Sequence, residues 1–256
     1  VCGSGGSILL TVLDENFNAG NGAFQVVNGG NGGGTPSGPW TYNAAAGTWS
    51  ANGGEGVVNS RLTTPTVTLA QAGAVSLTFN HRYFFEDDGT TRWDGGAIWV
   101  SVNGGAYTYV PSTAITGENY RTDRQITGNC PPNNFKYGFN NKSSGFDGGA
   151  FVETRAALGT FNAGDTISVQ FIGAWDDGYV EQAPNWEIDR MVLQVQTIGQ
   201  GNPAQFTVGA AGSLAAGVSA PIVYQWQRNN GAGWADIPGA NQATYSILPN
   251  IPDNGA

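Results

Sequence analysis

Apolar and polar residues alternate with a period of two along much of the chain. The clearest run is residues 75–83 (VSLTFNHRY), where Val, Leu, Phe, His and Tyr take every second position. This period places successive side chains on opposite faces of a β-strand. Similar runs predict strands at residues 8–13, 97–102, 166–172 and 186–195. No segment of a dozen residues keeps the 3.6-residue period of a helix, so we predict an all-β fold.

Glycine-containing turns separate these runs. Asn103, Gly104 and Gly105 lie between residues 97–102 and 106–110, which predicts a hairpin. Three longer segments rich in Gly and Asn also stand between predicted strands: residues 28–38, 42–56 and 117–149. Ordinary connections are about 4–6 residues long. Long loops on a β scaffold often carry binding surfaces, so we expect the functional residues to lie there.

A short linker containing Gly and Pro, residues 196–203, predicts a domain boundary. We assign residues 1–197 to a two-sheet jelly-roll β-sandwich. Residues 203–256 follow the pattern of an immunoglobulin (Ig)-like sandwich, with strands predicted at 223–227 and 243–247 and a turn at 236–240. Such a sandwich needs about 100 residues. We therefore expect a partial Ig-like domain, either part of a longer chain or completed by a strand from a neighbour.

The charge balance restricts the classes of partner. The formal net charge is −9 and charged residues make up only 11% of the chain. Nucleic acid and anionic membranes are disfavoured because both require basic surface, whereas an acidic surface suits divalent cations. No apolar run approaches the roughly 18 residues that a membrane span needs.

The chain has two cysteines, Cys2 and Cys130. A disulfide between them is the simplest interpretation in an oxidising compartment, and two buried free thiols are the alternative. Asn, Gly, Ser and Thr largely replace charged residues as the polar surface, which is typical of secreted bacterial β proteins. We therefore expect a secreted or cell-surface protein.

Five segments in order resemble the jelly-roll modules of MAM-like and cleaved-adhesin-like domains. They are residues 13–17 (LDENF), 60–69 (SRLTTPTVTL), 77–83 (LTFNHRY), 94–105 (DGGAIWVSVNGG) and 186–192 (WEIDRMV). The resemblance covers roughly residues 8–196. The segment after Pro203 resembles bacterial Ig-like domains, although it lacks the cysteine pair of antibody domains.

The resemblance implies a non-catalytic extracellular module, which in several relatives holds a structural calcium ion near the first and last strands. The matching positions are Glu15, Asp94 and Asp189, which we predict as metal ligands. Arg190 departs from the pattern because an acidic residue is frequent there. The adjacent acidic pairs at 14–15, 87–88 and 176–177 offer further oxygen ligands, and the alternative is that they are solvated loop carboxylates.

Catalytic motifs are incomplete. His81 is the single histidine, and its position in an alternating strand places it on the apolar face, where a hydrogen-bonded core residue is expected. Glu187 and Asp189 resemble two of the acids on the active-site strand of jelly-roll glucanases, but the second glutamate is absent. Glycoside hydrolysis needs a pair of carboxyl groups in defined roles. We therefore predict that the protein is not an enzyme.

Tryptophans provide the candidate ligand-binding surface. Flat aromatic faces can stack on sugar rings, and four tryptophans lie in surroundings rich in Gly, Asn and Asp: Trp40, Trp49, Trp93 and Trp175. The alternative is that these rings fill the core. Trp99, Trp186 and Trp226 lie in predicted strands, and for these three we predict core positions.

Three functions fit these features. The first is adhesion or glycan binding, with a glycan or a cell-surface protein as partner. The second is a structural subunit of a surface filament or sheath, with self-association through an open β edge by strand addition. The third is an accessory domain of a secreted hydrolase.

Overall fold

The computed structural model describes residues 8–30, 40–53, 57–127, 136–176, 179–197, 204–210, 222–229 and 233–247. The chain divides into two compact units, one spanning Leu9–Thr197 and the other holding Ile198–Ala256 with Val1–Ile8. Helix in the described ranges is limited to two 3₁₀ turns, Ser112–Ala114 and Phe146–Gly148. Almost all other regular structure there is antiparallel strand, so the all-β prediction is confirmed.

The larger unit is a sandwich of two sheets. Its described strands are β1 (Ile8–Glu15), β2 (Gln25–Gly30), β3 (Trp40–Asn43), β4 (Thr48–Ala51), β5 (Val58–Thr63), β6 (Val67–Thr68), β7 (Gly73–Phe85), β8 (Gly95–Val102), β9 (Thr108–Tyr109), β10 (Ile115–Gly117), β11 (Asn141–Lys142), β12 (Val152–Phe161), β13 (Thr166–Trp175) and β14 (Trp186–Thr197). The eight-stranded sheet has the order β10-β12-β7-β14-β4-β3, with β1 on β14 and β11 on β7. The six-stranded sheet has the order β2-β5-β13-β8-β9, with β6 on β13.

Strand β7 shows how the sequence pattern builds the core. Buried positions alternate with half-buried or exposed ones from Gly73 to Phe85, as the two-residue period predicts. The inward ring of Phe79 lies 5.1 Å from Phe171 of the opposite sheet, in an edge-to-face arrangement. Trp186 of β14 lies 6.0 Å from the same Phe171 ring. Aromatic contacts therefore join the two sheets at the centre of the sandwich.

The predicted glycine hairpin joins β8 to β9. Asn103 and Gly104 have φ angles of 53° and 69°, and the Gly105 N–H donates to the Val102 carbonyl at 2.9 Å. Two successive positive φ angles define the tight turn that matches the twist of antiparallel strands. Trp99 pairs with Tyr109 across the hairpin, so this prediction is confirmed.

Residues 136–140, which we call the crossing segment, pack against the core beside the start of β8. Phe139 in this segment is fully buried, and its ring centroid lies 4.6 Å from His81 and 4.8 Å from Tyr120. Backbone hydrogen bonds in both directions join Phe139 to Gly96 at the start of β8. The segment therefore contributes to the core and brings Asn140 close to the ends of the central strands.

The smaller unit contains four described strands in two pairs. β15 (Ala204–Thr207) pairs with β18 (Thr244–Ile247), and β16 (Gln227–Asn229) pairs with β17 (Trp234–Asp236). The strand predicted at residues 243–247 is confirmed. The strand predicted at residues 223–227 is wrong for residues 223–226, because β16 begins only at Gln227.

Trp226, predicted as a core residue, is half-buried and packs against two aromatic rings. Its ring lies 5.9 Å from Tyr245 and 6.2 Å from Phe206. Its backbone bonds to the turn at residues 237–240 in place of a neighbouring strand. The Ig-like character of this unit stays a prediction. Across the described residues of both units, no helix is long and apolar enough to span a membrane.

Candidate functional site

Three carboxylates meet where strands of the two sheets end. Glu86 directly follows β7, Asp94 directly precedes β8, and Asp176 directly follows β13. β8 and β13 are antiparallel with Gly95 opposite Ala174, so the start of one strand lies beside the end of the other. One carboxylate oxygen from each of the three residues lies within 4.8 Å of the others. We call Glu86, Asp94 and Asp176 the strand-end cluster.

Hydrogen bonds fix the geometry of this cluster. The Asp176 backbone N–H donates to Asp94 Oδ1 at 2.9 Å. The side-chain amide of Asn140 donates to the Glu86 carbonyl at 3.1 Å and to the Asp94 carbonyl at 2.7 Å. Asn140 is fully buried, and its Oδ1 atom accepts no hydrogen bond from any described residue. Asn140 therefore holds both ends of the connection from β7 to β8.

The electrostatics of the cluster favour a proton or a cation. Burial raises the pKa of Asp94 to about 8, and the negative charges of Asp176, Glu86 and Glu181 act in the same direction. Burial also raises the pKa of Glu86 to about 7, again with repulsion from nearby carboxylates. Burial raises the pKa of Glu181, although Lys142 opposes the shift. Close, buried carboxylates cannot all be ionised without a compensating positive charge.

Two arginines of the neighbouring loops, Arg92 and Arg124, are paired with other carboxylates, and Arg121 donates to backbone carbonyls. Arg92 lies 3.3 Å from Asp87 and 2.9 Å from Asp123, and Arg124 lies 2.9 Å from Asp87. Arg92 also donates to the backbone carbonyls of Arg121 and Arg124. We call Arg92, Arg124, Asp87 and Asp123 the arginine network. Its positive charges are matched locally, so they do not neutralise the strand-end cluster.

The arrangement is suited to a hard divalent cation. Ca²⁺ takes six to eight oxygen ligands, from carboxylates, amide carbonyls and water, at about 2.3–2.6 Å. Glu86, Asp94 and Asp176 provide three carboxylates, while the described residues of the cluster offer no sulfur or imidazole ligand. We propose the amide oxygen of the buried Asn140 as a fourth ligand. The ligand types therefore fit Ca²⁺ better than Zn²⁺.

The metal ligands predicted by resemblance are separated in the structure. Asp94 lies in the strand-end cluster, but Glu15 and Asp189 are not among its residues. Glu15 ends β1, with its carboxyl group beside Gly22, where a Cβ atom would come within 2.9 Å. Asp189 lies in the β-bulge of β14 between Ile188 and Arg190. Its pKa is raised by partial burial and by Glu187, and Arg190 opposes the shift.

Three of the four predicted sugar-stacking tryptophans are buried. Trp40, Trp49 and Trp175 are 2%, 5% and 1% exposed, so their ring faces are covered. Each indole N–H donates inside the fold, to the Ser60 carbonyl, the Asn21 carbonyl and Asn185 Oδ1 respectively. These three tryptophans therefore fill the core, which was the alternative interpretation. The polar residues next to them in the sequence do not keep their rings at the surface.

Trp93 is the exception among these tryptophans. It is half-buried, and its indole N–H donates to Asp88 Oδ2 at 3.2 Å. It directly precedes Asp94 of the strand-end cluster in the sequence. A ligand role for Trp93 stays a prediction.

His81 occupies the core position that its strand parity indicates. It is fully buried, and burial lowers its pKa to about 3. Trp186 Nε1 donates to Nδ1 at 3.0 Å, so the neutral ring carries its proton on Nε2. Nε2 lies 2.8 Å from Thr154 Oγ1, which donates to the Glu118 carbonyl. Both ring nitrogens are therefore used within the fold.

The carboxyl group of Glu187 is also committed. Oε1 accepts from Thr48 at 2.8 Å and Oε2 accepts from Arg82 at 2.6 Å. Glu187 is buried in β14. Its ion pair with Arg82 joins β14 to β7, and its hydrogen bond from Thr48 joins β14 to β4. The residue therefore acts as a structural connection between strands.

Sequence reasoning missed two residues of the site, Glu86 and Asn140. Glu86 stands at the point where the alternation of β7 ends, and that loss of period is the signal that could have identified it. Asn140 gives no such signal, because its position depends on the path of the crossing segment. Cys2 and Cys130, predicted as a disulfide, lie outside the described residues.

Comparisons with known proteins give distant structural likenesses. No protein-family model matches the chain, and no curated protein matches it. Among solved structures, the chain is similar to the K3 cleaved adhesin domain of Lys-gingipain from Porphyromonas gingivalis w83. The identity is 16%, the match covers 73% of this chain and 98% of that chain, and the TM-score is 0.38.

A second set of similar structures consists of catalytic domains of GH87 alpha-1,3-glucanase. The complex with nigerose is 13% identical, covering 72% of this chain and 29% of that chain, with a TM-score of 0.23. The D1068A complex with tetrasaccharides is 11% identical over the same shares, with a TM-score of 0.24. Likenesses at this level assign no family, so function is argued from the site.

Proposed function

We propose that the larger unit is a non-catalytic, calcium-binding module of an extracellular or cell-surface protein that acts in adhesion or glycan binding. The observation that carries the calcium assignment is the strand-end cluster. Its carboxylates are close together and partly or fully buried, and the nearby arginines are paired elsewhere. A bound Ca²⁺ would neutralise their repulsion and tie the ends of β7, β8 and β13 together.

The hydrogen bonds and the ion pair made by His81 and Glu187, the two best catalytic candidates, support a non-catalytic role. His81 is buried with both ring nitrogens hydrogen-bonded, and Glu187 is held by Thr48 and Arg82. A general base or nucleophile must reach the substrate with a group that is free to react. A binding module requires no such group.

Thermal unfolding in chelator and in excess Ca²⁺ tests the cation site. Ligand binding to the folded state alone stabilises it by about 2.7 kcal/mol at a hundredfold excess over Kd. For a unit of this size, that corresponds to a rise of about 5–10 °C in Tm. We expect Asp94→Asn and Asp176→Asn to abolish the rise.

Asp147→Asn is the matched control. This residue is 74% exposed and pairs with Lys142 on the surface, so its substitution should leave the Ca²⁺ response unchanged. An identical Tm in chelator and in excess Ca²⁺ for the parent protein would rule the site out. A response that persists in both cluster variants would place the ion elsewhere.

The smaller unit supports a second candidate, a structural subunit that self-associates. Val223 is 83% exposed and Trp234 is 71% exposed, which leaves large apolar side chains on its surface. Strand addition from a second copy would cover such a surface. Light scattering over a range of concentrations is the test, and a strictly monomeric protein would eliminate this candidate.

A further inference from the structure

A polar groove of about 280 Å³ lies on the outward face of the eight-stranded sheet, in the middle of the sheet and away from the strand-end cluster. Strands β7 and β14 form its floor, β12 forms one wall and β1 forms the other. The groove is separated from Glu86 by about 20 Å along β7, at about 3.3 Å per residue. It is therefore a site distinct from the candidate cation site.

The strand register arranges the groove side chains in two rows. In the first row, Asn80 of β7 lies between its partners Glu153 of β12 and Arg190 of β14. In the second row, Thr78 lies between Arg155 and Val192. Directly opposed residues have side chains about 4.5–5.5 Å apart, so each row forms a continuous surface. Asn80 and Thr78 occupy the centre of the groove.

The charged side chains of the walls neutralise one another. Arg155 lies 2.7 Å from Glu153 on one wall, and Arg190 makes a bidentate pair with Asp14 on the other. The four formal charges therefore sum to zero. A groove with no net charge gives no electrostatic preference to an anionic or cationic ligand.

The central polar groups keep their hydrogen-bonding capacity. The Asn80 amide and the Thr78 hydroxyl are half-buried, and neither side chain forms a hydrogen bond with another described residue. Together they offer donors and acceptors at the bottom of the groove. By contrast, the more peripheral Gln194 donates to Thr11 of β1 at 3.3 Å. The available polar groups are thus concentrated at one point.

We propose that this groove binds a neutral saccharide through Asn80 and Thr78. Sugar hydroxyls both donate and accept, which matches an amide, a hydroxyl and two balanced ion pairs. The volume lies just below the range of about 300–1,000 Å³ for small-molecule sites, so it suits a sugar ring or a chain end. This inference deepens the glycan-binding function proposed above and rests on it, but it replaces the loop tryptophans with the sheet face as the binding surface.

An immobilised array of neutral plant, algal and mucosal oligosaccharides, with sulfated and sialylated counterparts, tests the proposal. The full chain should bind neutral glycans with little dependence on salt. Asn80→Ala, the isosteric Asn80→Asp and the isosteric Thr78→Val should each weaken binding at least tenfold in calorimetric titration with the best neutral glycan. Ser76→Ala is the matched control, on the same strand and face but outside the groove, and should bind like the parent.

The other outcomes separate the groove from the wider function. Binding retained in all three groove variants but lost in Trp93→Ala would overturn the groove and leave glycan binding intact. Binding only to anionic glycans, lost at high salt, would overturn the neutral class. If no glycan on the array binds, the groove and glycan binding both fail, whereas the Ca²⁺ response of the cluster is measured independently. Thermal unfolding confirms that each variant is folded.

Discussion

The connection from β7 to β8, residues 86–94, carries four acidic residues in two different environments. Asp87 and Asp88 lie within it, whereas Glu86 and Asp94 lie at its ends and belong to the strand-end cluster. Asp87 is buried, which opposes ionisation, but hydrogen bonds from Gly89, Arg124 and Arg92 lower its pKa below the ordinary value. The Asp88 pKa is also lowered, by backbone and hydroxyl donors from Thr91 and Thr90. Glu86 and Asp94, at the ends of the same connection, have raised pKa values.

The difference is in the supply of positive partners. The carboxylate of Asp87 accepts hydrogen bonds from the guanidinium groups of Arg92 and Arg124. The carboxylate of Asp88 accepts hydrogen bonds from backbone N–H groups in the tight turn that follows it. In the strand-end cluster, burial and repulsion from other carboxylates raise the pKa values of Glu86 and Asp94. One connection therefore has a part stabilised by the chain's own charges and a part that we propose is stabilised by an added cation.

Removing the charge of Asp87 should produce the largest effect. Asp87→Asn leaves Arg92, whose side chain is 2% exposed, without its buried carboxylate. Breaking a buried ion pair from one side costs about 3–5 kcal/mol. Denaturant unfolding followed by tryptophan fluorescence should show a loss of this size, both in chelator and in Ca²⁺. A loss below 1 kcal/mol would mean that the network is not needed for stability.

The strand-end cluster should give the protein a distinct dependence of stability on pH. Because the Asp94 pKa is raised to about 8 from an ordinary 3.8, the folded state retains a proton that the unfolded chain releases. In chelator, stability should therefore fall as pH rises from about 4 to 8, by about 5 kcal/mol. Excess Ca²⁺ should remove most of this fall. Calorimetric scans across the pH range provide the measurement, and Asp94→Asn should flatten the profile in chelator.

Asn140 should matter to both fold and site. Asn140→Ala removes the donors to the buried Glu86 and Asp94 carbonyls, at a cost of about 1–3 kcal/mol. We also expect a lower Ca²⁺ affinity in isothermal titration, because the substitution removes an oxygen ligand and loosens the connection. Unchanged Ca²⁺ affinity in a folded variant would exclude Asn140 as a ligand.

Asp123 should give the smallest effect in the arginine network. Its side chain is 68% exposed, and Arg92 keeps Asp87 as a partner when Asp123 is replaced. Exposed ion pairs contribute about 0–1 kcal/mol. Asp123→Asn should therefore change unfolding by less than 1 kcal/mol, with a further decrease of the effect at high salt. A loss as large as that of Asp87→Asn would show that the two aspartates act as one unit.

Local periodicity accounts for the part of the fold that was predicted. The alternation of residues 75–83 and the turn at Asn103 and Gly104 are determined within one strand or one hairpin, and both appear as expected. The candidate site depends on non-local geometry. Asp94 and Asp176 meet only because Gly95 is in register with Ala174, a pairing that no local pattern specifies.

The tryptophans show the same limit of local reasoning. Trp40 and Trp49 lie in polar, glycine-rich sequence, yet both are buried in the β3–β4 hairpin that packs on β14. Composition around a residue describes its neighbours along the chain, but burial is decided by neighbours across the sheets. The groove at Thr78 and Asn80 was missed for a related reason, because its walls come from strands distant in sequence.

The buried imidazole of His81 also makes the protein easy to observe. The chain contains one histidine, so nitrogen-15 or proton magnetic resonance would give a single set of ring signals without assignment. Since His81 is fully buried and Trp186 and Thr154 hold both nitrogens, solvent exchange of the ring proton requires a local opening of the core. That exchange rate would report breathing of the sandwich interior from one spectrum.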